Sequence, residues 1–281
     1  VRSIIDPREM TAVSDELRAN GRVIALVPTM GYFHRGHLSL FQVAKANADL
    51  LVVSIFVNPI QFGPAEDYRG YPRNVDGDRA MAQNAGVDYL FCPEADVMYP
   101  SGYSTYVEVT ALQHLLCGAF RPHHFKGVAT ICLKLFNIVK PHVVVFGQKD
   151  AQQAVIIRRM IQDLNLDLEM IVAPTVREPD GLAASSRNEY LTSEEREEAV
   201  VLHKALEHAR RLIESGERRY ETVRGEIVAL IQEKPLAELE YAEIVEADTL
   251  KKVDPLRGDI LIAVACRFGK ARLIDNIALK I

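Results

Sequence analysis

Two imidazoles and two glycines share one short stretch of this chain, Val27-Pro28-Thr29-Met30-Gly31-Tyr32-Phe33-His34-Arg35-Gly36-His37-Leu38. His34 and His37 stand three apart, so on a first helical turn both rings face one side. Gly31 and Gly36 can adopt backbone angles closed to other residues and let a bulky anion approach the main chain. Three chemistries fit the pair: helix capping by two turn histidines, a metal site, or recognition of a phosphate. No carboxylate or cysteine stands nearby at ligand spacing, which weighs against metal. The spacing Gly31-x-x-x-x-Gly36 matches a P-loop, but His37-Leu38 occupies the place of Lys-Ser/Thr, so the Walker reading fails.

Other residues with the same kind of chemistry lie further along. Gln61, in Asn58-Pro59-Ile60-Gln61-Phe62-Gly63-Pro64, offers two donors and an acceptor suited to a small hydroxy acid, or is ordinary loop polarity. Gly147-Gln148-Lys149-Asp150-Ala151-Gln152-Gln153 repeats a glycine turn, with a cation, Lys149, placed for phosphate. Asp150 can cap the helix that follows. In Leu182-Ala183-Ala184-Ser185-Ser186-Arg187-Asn188 two hydroxyls and a guanidinium follow one another, a grouping that suits a triphosphate or forms a surface turn. Asp76 and Asp78 could hold Mg²⁺ through water, but a helix start favours acids equally, and they are left out of the candidate set. His123 and His124 read as structural.

The elements that position these residues are legible from apolar runs. Arg22 to Val27 reads as a buried strand and Leu38 to Lys45 as a helix, so the first stretch is strand, turn, helix. Such a turn points free backbone N–H groups and the positive end of a helix dipole at one spot. Asp49–Val57, Asp88–Cys92, Pro141–Phe146 and Asp167–Ala173 read as further strands, the near-continuous apolar pattern of a parallel sheet covered on both faces. Helices are expected over Thr11–Ala19, up to Gly86, over Val128–Val139 and up to Leu164. The Val128–Val139 helix is apolar nearly all round and must be buried, in the core or against another subunit. In open α/β sheets ligands collect at the carboxyl ends of strands, where Gln61 and Lys149 fall.

The pattern changes after Pro174–Gly181. Thr192-Ser193-Glu194-Glu195 is a capping box, a charged amphipathic helix runs to Gly216, another covers Tyr220–Glu233, and strands follow at Leu239–Val245, Asp259–Cys266 and Ala271–Leu279. The expected fold is α/β: a Rossmann-like parallel sheet with helices on both faces over 1–175, and a smaller α+β domain over 176–281. The 281 residues carry a net charge of −5, which argues against broad nucleic-acid or anionic-membrane binding. The longest apolar run is far short of a membrane span, and the first residues lack the apolar core of a signal peptide. Cys92, Cys117, Cys132 and Cys266 are scattered, as reduced core residues would be. A cytoplasmic location is expected.

His34-Arg35-Gly36-His37 after a strand resembles the signature of nucleotidyltransferases related to class I aminoacyl-tRNA synthetases. With Pro28-Thr29-Met30-Gly31 in front, and with Ile55–Gly63, Arg121–Val128, Phe146–Gln153 and Val176–Asn188 in order, the chain resembles the pantoate–β-alanine ligase family. The resemblance implies ATP contacts from Met30, Gly31, His34, His37, Gly147, Lys149, Asp150, Val176, Ala184, Ser185, Ser186 and Arg187. It implies pantoate contacts from Gln61 and Gln153, with His34, His37, Lys149, Ser185, Ser186 and Arg187 as the catalytic set. It further implies Mg²⁺ with the ATP, a homodimer, and a second domain acting as a lid. Implied too is a two-step reaction: pantoate attacks the α-phosphorus of ATP, then β-alanine displaces AMP. Two spellings depart from the family pattern: Ala184 where Met usually precedes the serines, and His123 in place of glycine.

Overall fold

Six parallel strands form the larger sheet, in the spatial order β1-β4-β3-β2-β5-β6. They are β1 (Arg2–Ile4), β2 (Ile24–Thr29), β3 (Leu50–Ile55), β4 (Tyr89–Phe91), β5 (Val143–Gly147) and β6 (Glu169–Ala173). The computed structural model describes residues 1–64, 66 and 68–281. Between the strands run α1 (Pro7–Ala19), α2 (Arg35–Ala46), α3 (Val75–Asn84), the short α4 (Ala95–Met98) and α5 (Cys117–Phe120), α6 (His124–Val139) and α7 (Ala151–Asp163). Five of the six strands follow the apolar runs. The sixth, β1, has only Ile4 buried and offers no run to read.

Central β2 is covered on both faces, with Ile24 through Val27 fully buried. It pairs with β3 as far as Thr29↔Ile55, but with β5 only at Ala25↔Val143 and Leu26↔Val144. Pro28 has no N–H to extend the β5 ladder, while the β3 ladder runs past it through Pro28↔Ser54. The chain leaves β2 for β3 on one side and reaches β5 on the other, which makes this a topological switch point, where open α/β sheets bind ligands.

Two compact units emerge from the contacts: Val1–His114, Gly118–Gly147 and Ile156–Ala173 in the first, and Leu115–Cys117, Gln148–Val155 and Pro174–Ile281 in the second. In the second unit an antiparallel sheet, ordered β7-β8-β9, consists of β7 (Ala237–Glu246), β8 (Asp259–Phe268) and β9 (Ala271–Lys280). It packs with α8 (Ser193–Ala199), α9 (Val201–Glu214) and α10 (Tyr220–Gln232) through a core that includes Leu202, Leu206, Val223, Ile227, Ile262 and Phe268. The helix expected to run unbroken to Gly216 is divided at Val200, a single residue between α8 and α9 that keeps helical backbone angles (φ −61°, ψ −19°). Thr192 and Glu195 form the reciprocal capping box expected of them.

The apolar helix α6 buries Phe125, Val128, Ile131, Leu135, Phe136 and Val139 within this chain, so its composition does not call for a partner subunit. The four cysteines are free. Burial pushes the Cys92 thiol up to about 11 and those of Cys132 and Cys266 to about 12, which keeps them protonated and unreactive. No helix among the described residues is long and apolar enough to cross a membrane.

Candidate active site

In the first unit the strand–turn–helix begins with Thr29, whose hydroxyl donates to the Ser54 carbonyl (2.6 Å) and accepts from the Gly31 N–H (3.1 Å). Gly31 has φ +83°, and a Cβ there would lie 2.9 Å from both Asp78 Oδ2 and Ile55 Cγ2. Tyr32 follows at φ +55°. The Asp78 carboxylate, on α3 and buried, accepts the backbone N–H groups of Tyr32 (2.7 Å) and Phe33 (2.6 Å). Burial raises its pKa, while those two bonds pull it back. Through these two bonds Asp78 braces the turn. Phe33 sinks into the core and meets Phe41 edge-on at 5.2 Å, fixing the turn from beneath.

His34 is the N-cap of α2, and Gly36 lies in the helix's first turn rather than in an unusual conformation. The His34 ring Nδ1 accepts from Gly36 N–H (3.1 Å), and His37 Nδ1 accepts from His34 N–H (3.3 Å). The rings lie 4.2 Å apart between centroids. Both histidines therefore take part in capping the helix through Nδ1. The imidazoles occupy backbone donors that an anion was expected to take, and a neutral ring whose Nδ1 accepts carries its proton on Nε2. Each ring thus carries an N–H donor on its Nε2 edge.

Gln61 ends a 3₁₀ turn, Pro59–Gln61, and is buried. Its Oε1 accepts from Asn58 Nδ2 (3.1 Å), and its Nε2 donates to Met30 Sδ (3.0 Å), joining the Gln61 loop to the histidine turn. Asn58 also donates to the Gly127 carbonyl (3.0 Å) and accepts from the Tyr99 hydroxyl (2.9 Å). His124 bonds the Gln61 carbonyl through Nδ1 (2.8 Å) and Arg121 through Nε2 (3.1 Å). Arginine can only donate, so Nε2 accepts and Nδ1–H donates to the carbonyl. Arg121 is in turn paired with Glu66. His124, read as structural from the sequence, holds the carbonyl of Gln61. Asn58, Tyr99 and Asp78 were not among the candidates; only the Asn-Pro at a strand end could have signalled the first. Gly147 closes β5, where its own Cβ position meets only Leu40 Cδ2, at 3.8 Å.

The other candidates belong to the second unit. Lys149 and Asp150 form a 3₁₀ turn ahead of α7, with the ammonium 3.8 Å from the Asp150 carboxylate, and Gln153 follows in the first turn of the helix. The Val176 carbonyl accepts from Ala184 N–H (2.9 Å), and Arg177 bridges Ala183, so the segment doubles back as a narrow hairpin. Ala184 is buried beneath it. Ser185 caps a 3₁₀ turn, Ser186–Tyr190, its Oγ accepting from Arg187 N–H (3.3 Å) while its own proton stays available to donate. The candidates are thus grouped as Met30, Gly31, His34, His37, Gln61 and Gly147 in one unit and Lys149, Asp150, Gln153, Val176 and Ala184–Arg187 in the other.

The model of the pantoate–β-alanine ligase family matches residues 2–278. The chain belongs to the pantoate–β-alanine ligase family. It is 53% identical over 281 residues to the pantothenate synthetase of Heliobacterium modesticaldum, covering all of both chains. The crystal structure of pantothenate synthetase from Thermus thermophilus superposes with a TM-score of 0.93 at 42% identity over 99% of each chain. A Francisella tularensis pantoate–β-alanine ligase complexed with "beta-gamma ATP" and β-alanine gives 0.79 at 33% identity, over 99% of this chain and 97% of that one. The family's fold, a parallel sheet with helices and a smaller antiparallel domain, is the fold described above.

Proposed function

We propose that this protein condenses pantoate with β-alanine to give pantothenate, consuming ATP and releasing AMP and pyrophosphate. Membership of the ligase family across nearly the whole chain is the observation that carries this reading. In the first step a pantoate carboxylate oxygen bonds to the α-phosphorus of ATP as the bond to the bridging oxygen of pyrophosphate breaks. In the second, the neutral amine of β-alanine attacks the acyl carbon of the mixed anhydride, AMP leaves, and the amine's proton passes to solvent.

Neither step needs a covalent bond to the protein. The first needs in-line positioning and donors for the charge on the leaving phosphates. His34 and His37 supply Nε2–H donors, Lys149 and Arg187 cationic ones, and Ser185 and Ser186 hydroxyls. Met30, Gly31, Gly147, Asp150, Val176 and Ala184 shape the nucleotide's surroundings. Gln61 and Gln153 bind pantoate; an amide has two donor hydrogens and two acceptor lone pairs, so Gln61 keeps one of each beyond its bonds to Met30 and Asn58. The second unit acts as a lid that keeps water from the anhydride.

No group of three or more His, Cys, Asp or Glu side chains among the described residues forms a metal position. Mg²⁺ is commonly held by substrate phosphates and one or two carboxylates rather than by a protein cage. It would accompany ATP and neutralise phosphate charge. We further propose a homodimer, on the family resemblance, and a cytoplasmic location.

The test follows AMP and pyrophosphate separately, with ATP and pantoate present and β-alanine added or withheld. Expected are pantoate-dependent pyrophosphate exchange without β-alanine, and stoichiometric AMP and pantothenate once it is added. AMP release that ignores β-alanine would sink the proposal.

A further inference from the structure

Strand β9 carries two consecutive buried polar residues, Asp275 and Asn276, exposed by only 2% and 5%. Successive side chains on a strand point to opposite faces. On one face, between the core residues Leu273 and Ile277, Asp275 receives both terminal nitrogens of Arg177 (2.6 and 2.9 Å). Arg177 opens the hairpin that ends in Ala184–Arg187, and it also donates to the Gly181 carbonyl (3.0 Å). On the other face, Asn276 Nδ2 donates to the carbonyls of Gln148 and Lys149, both at 2.9 Å, and its Oδ1 accepts from Gln148 Nε2 (2.9 Å). Its backbone N–H donates to Asp275 Oδ1 (2.7 Å), joining the two halves.

A core strand needs no charge or amide for stability, and burying either is costly unless every valence is met. Here both hydrogens of the Asn276 amide and one acceptor position are used on a single turn, the one that carries Lys149. We propose that Asn276 is a positioning residue for Lys149. By holding the carbonyls of residues 148 and 149 it fixes the backbone from which the Lys149 side chain rises. Asp275, through Arg177, holds the hairpin leading to Ser185–Arg187, so one strand sets the two groups of proposed phosphate donors in the second unit. This rests on the reading that Lys149 contacts the nucleotide.

The test is a double-mutant cycle on the full chain, read by pantoate-dependent pyrophosphate exchange with thermal midpoints recorded for every variant. Asn276→Ala should slow exchange about ten- to a hundredfold, the scale of a displaced contact. In a Lys149→Ala background the same change should cost less than about twofold, because the group it positions is gone. Equal losses in both backgrounds, or a wild-type rate for Asn276→Ala, would overturn the role of Asn276. A Lys149→Ala enzyme with undiminished exchange would instead remove Lys149 from the site, a failure of the underlying reading. If Asn276→Ala does not fold, Gln148→Ala removes only the bond to Oδ1, and the cycle with Lys149→Ala decides in the same way.

Discussion

The backbone N–H of His34 donates to Nδ1 of His37 at 3.3 Å, while the ring of His34 takes the N–H of Gly36 at 3.1 Å. Each imidazole is therefore oriented by the helix it caps, and each is pinned in the tautomer that bears its proton on Nε2. Two groups that look like independent donors are one cooperative cap.

From this follow the effects of removing either cationic or imidazole donors. His37→Ala and Lys149→Ala should lower pyrophosphate exchange about a hundred- to thousandfold, the usual loss for a well-placed donor. His37→Ala should also lose about 0.5–2 kcal/mol of stability with its half of the cap. Far-ultraviolet dichroism and urea unfolding check the fold; exchange near the wild-type rate would remove the residue from the catalytic list.

Gly31→Ala should be harmful well beyond its size. It forces a side chain into φ +83° and presses a Cβ against Asp78 Oδ2 and Ile55 Cγ2. Strain of this type costs about 1–3 kcal/mol, and the displaced carboxylate no longer meets the N–H groups of Tyr32 and Phe33. Asp78→Asn, which replaces one acceptor by a donor, should act in the same direction. Both variants should show a lower urea midpoint together with weaker ATP binding in calorimetry; unchanged ATP affinity would separate the brace from the site.

Gly127→Ala tests the support of Gln61 from the opposite side. The new Cβ would stand 2.6 Å from Gln61 Cα, and backbone cannot swing aside as a side chain can. Pantoate affinity should fall about ten- to a hundredfold, comparable to Gln61→Ala, which removes one or two hydrogen bonds to a charged ligand. Calorimetry with pantoate decides, and equal affinities for variant and wild type would count against the assignment of Gln61.

Stability should also fall on mild acidification. The His203 pKa is depressed, first by burial and then by the neighbouring Arg177 guanidinium, and its Nδ1 is buried without a hydrogen-bond partner among the described residues. His142 shifts the same way, chiefly by burial, and its Nδ1 accepts from Ile24 N–H (3.0 Å). Both rings bind protons less readily folded than unfolded. Their contribution is therefore complete above the ordinary imidazole value of about 6.5 and is lost as pH falls through the folded values. Urea unfolding from pH 8 to pH 5 should show this decline, and His203→Gln should make it shallower. An identical slope would assign the decline elsewhere.

Much of this was legible before the structure. Near-continuous apolar runs such as Leu51-Val52-Val53 named the parallel strands, and Thr192–Glu195 marked a helix start because capping is local chemistry. Strand β1 escaped because three residues with one buried side chain make no pattern. The histidine spacing placed two rings on one side, yet spacing alone does not reveal that each ring consumes a backbone donor. Asp78 read equally as a helix-start acid or a Mg²⁺ holder and stayed outside the candidate set, since its partners lie 45 and 46 residues earlier. Lys149 read as part of the first domain because it follows β5 directly; its turn is held by Asn276, 127 residues away, a contact no local signal carries.

β2 and β5 part company after Leu26 and Val144, with Pro28 just beyond. Pro28 keeps its place opposite Ser54 in the β3 ladder but has no N–H to donate toward β5. The fork between these strands is thus written into the sequence of β2 itself. Substitutions in the loop that follows β2 would change the side chains displayed beside the fork while leaving the strand that creates it intact.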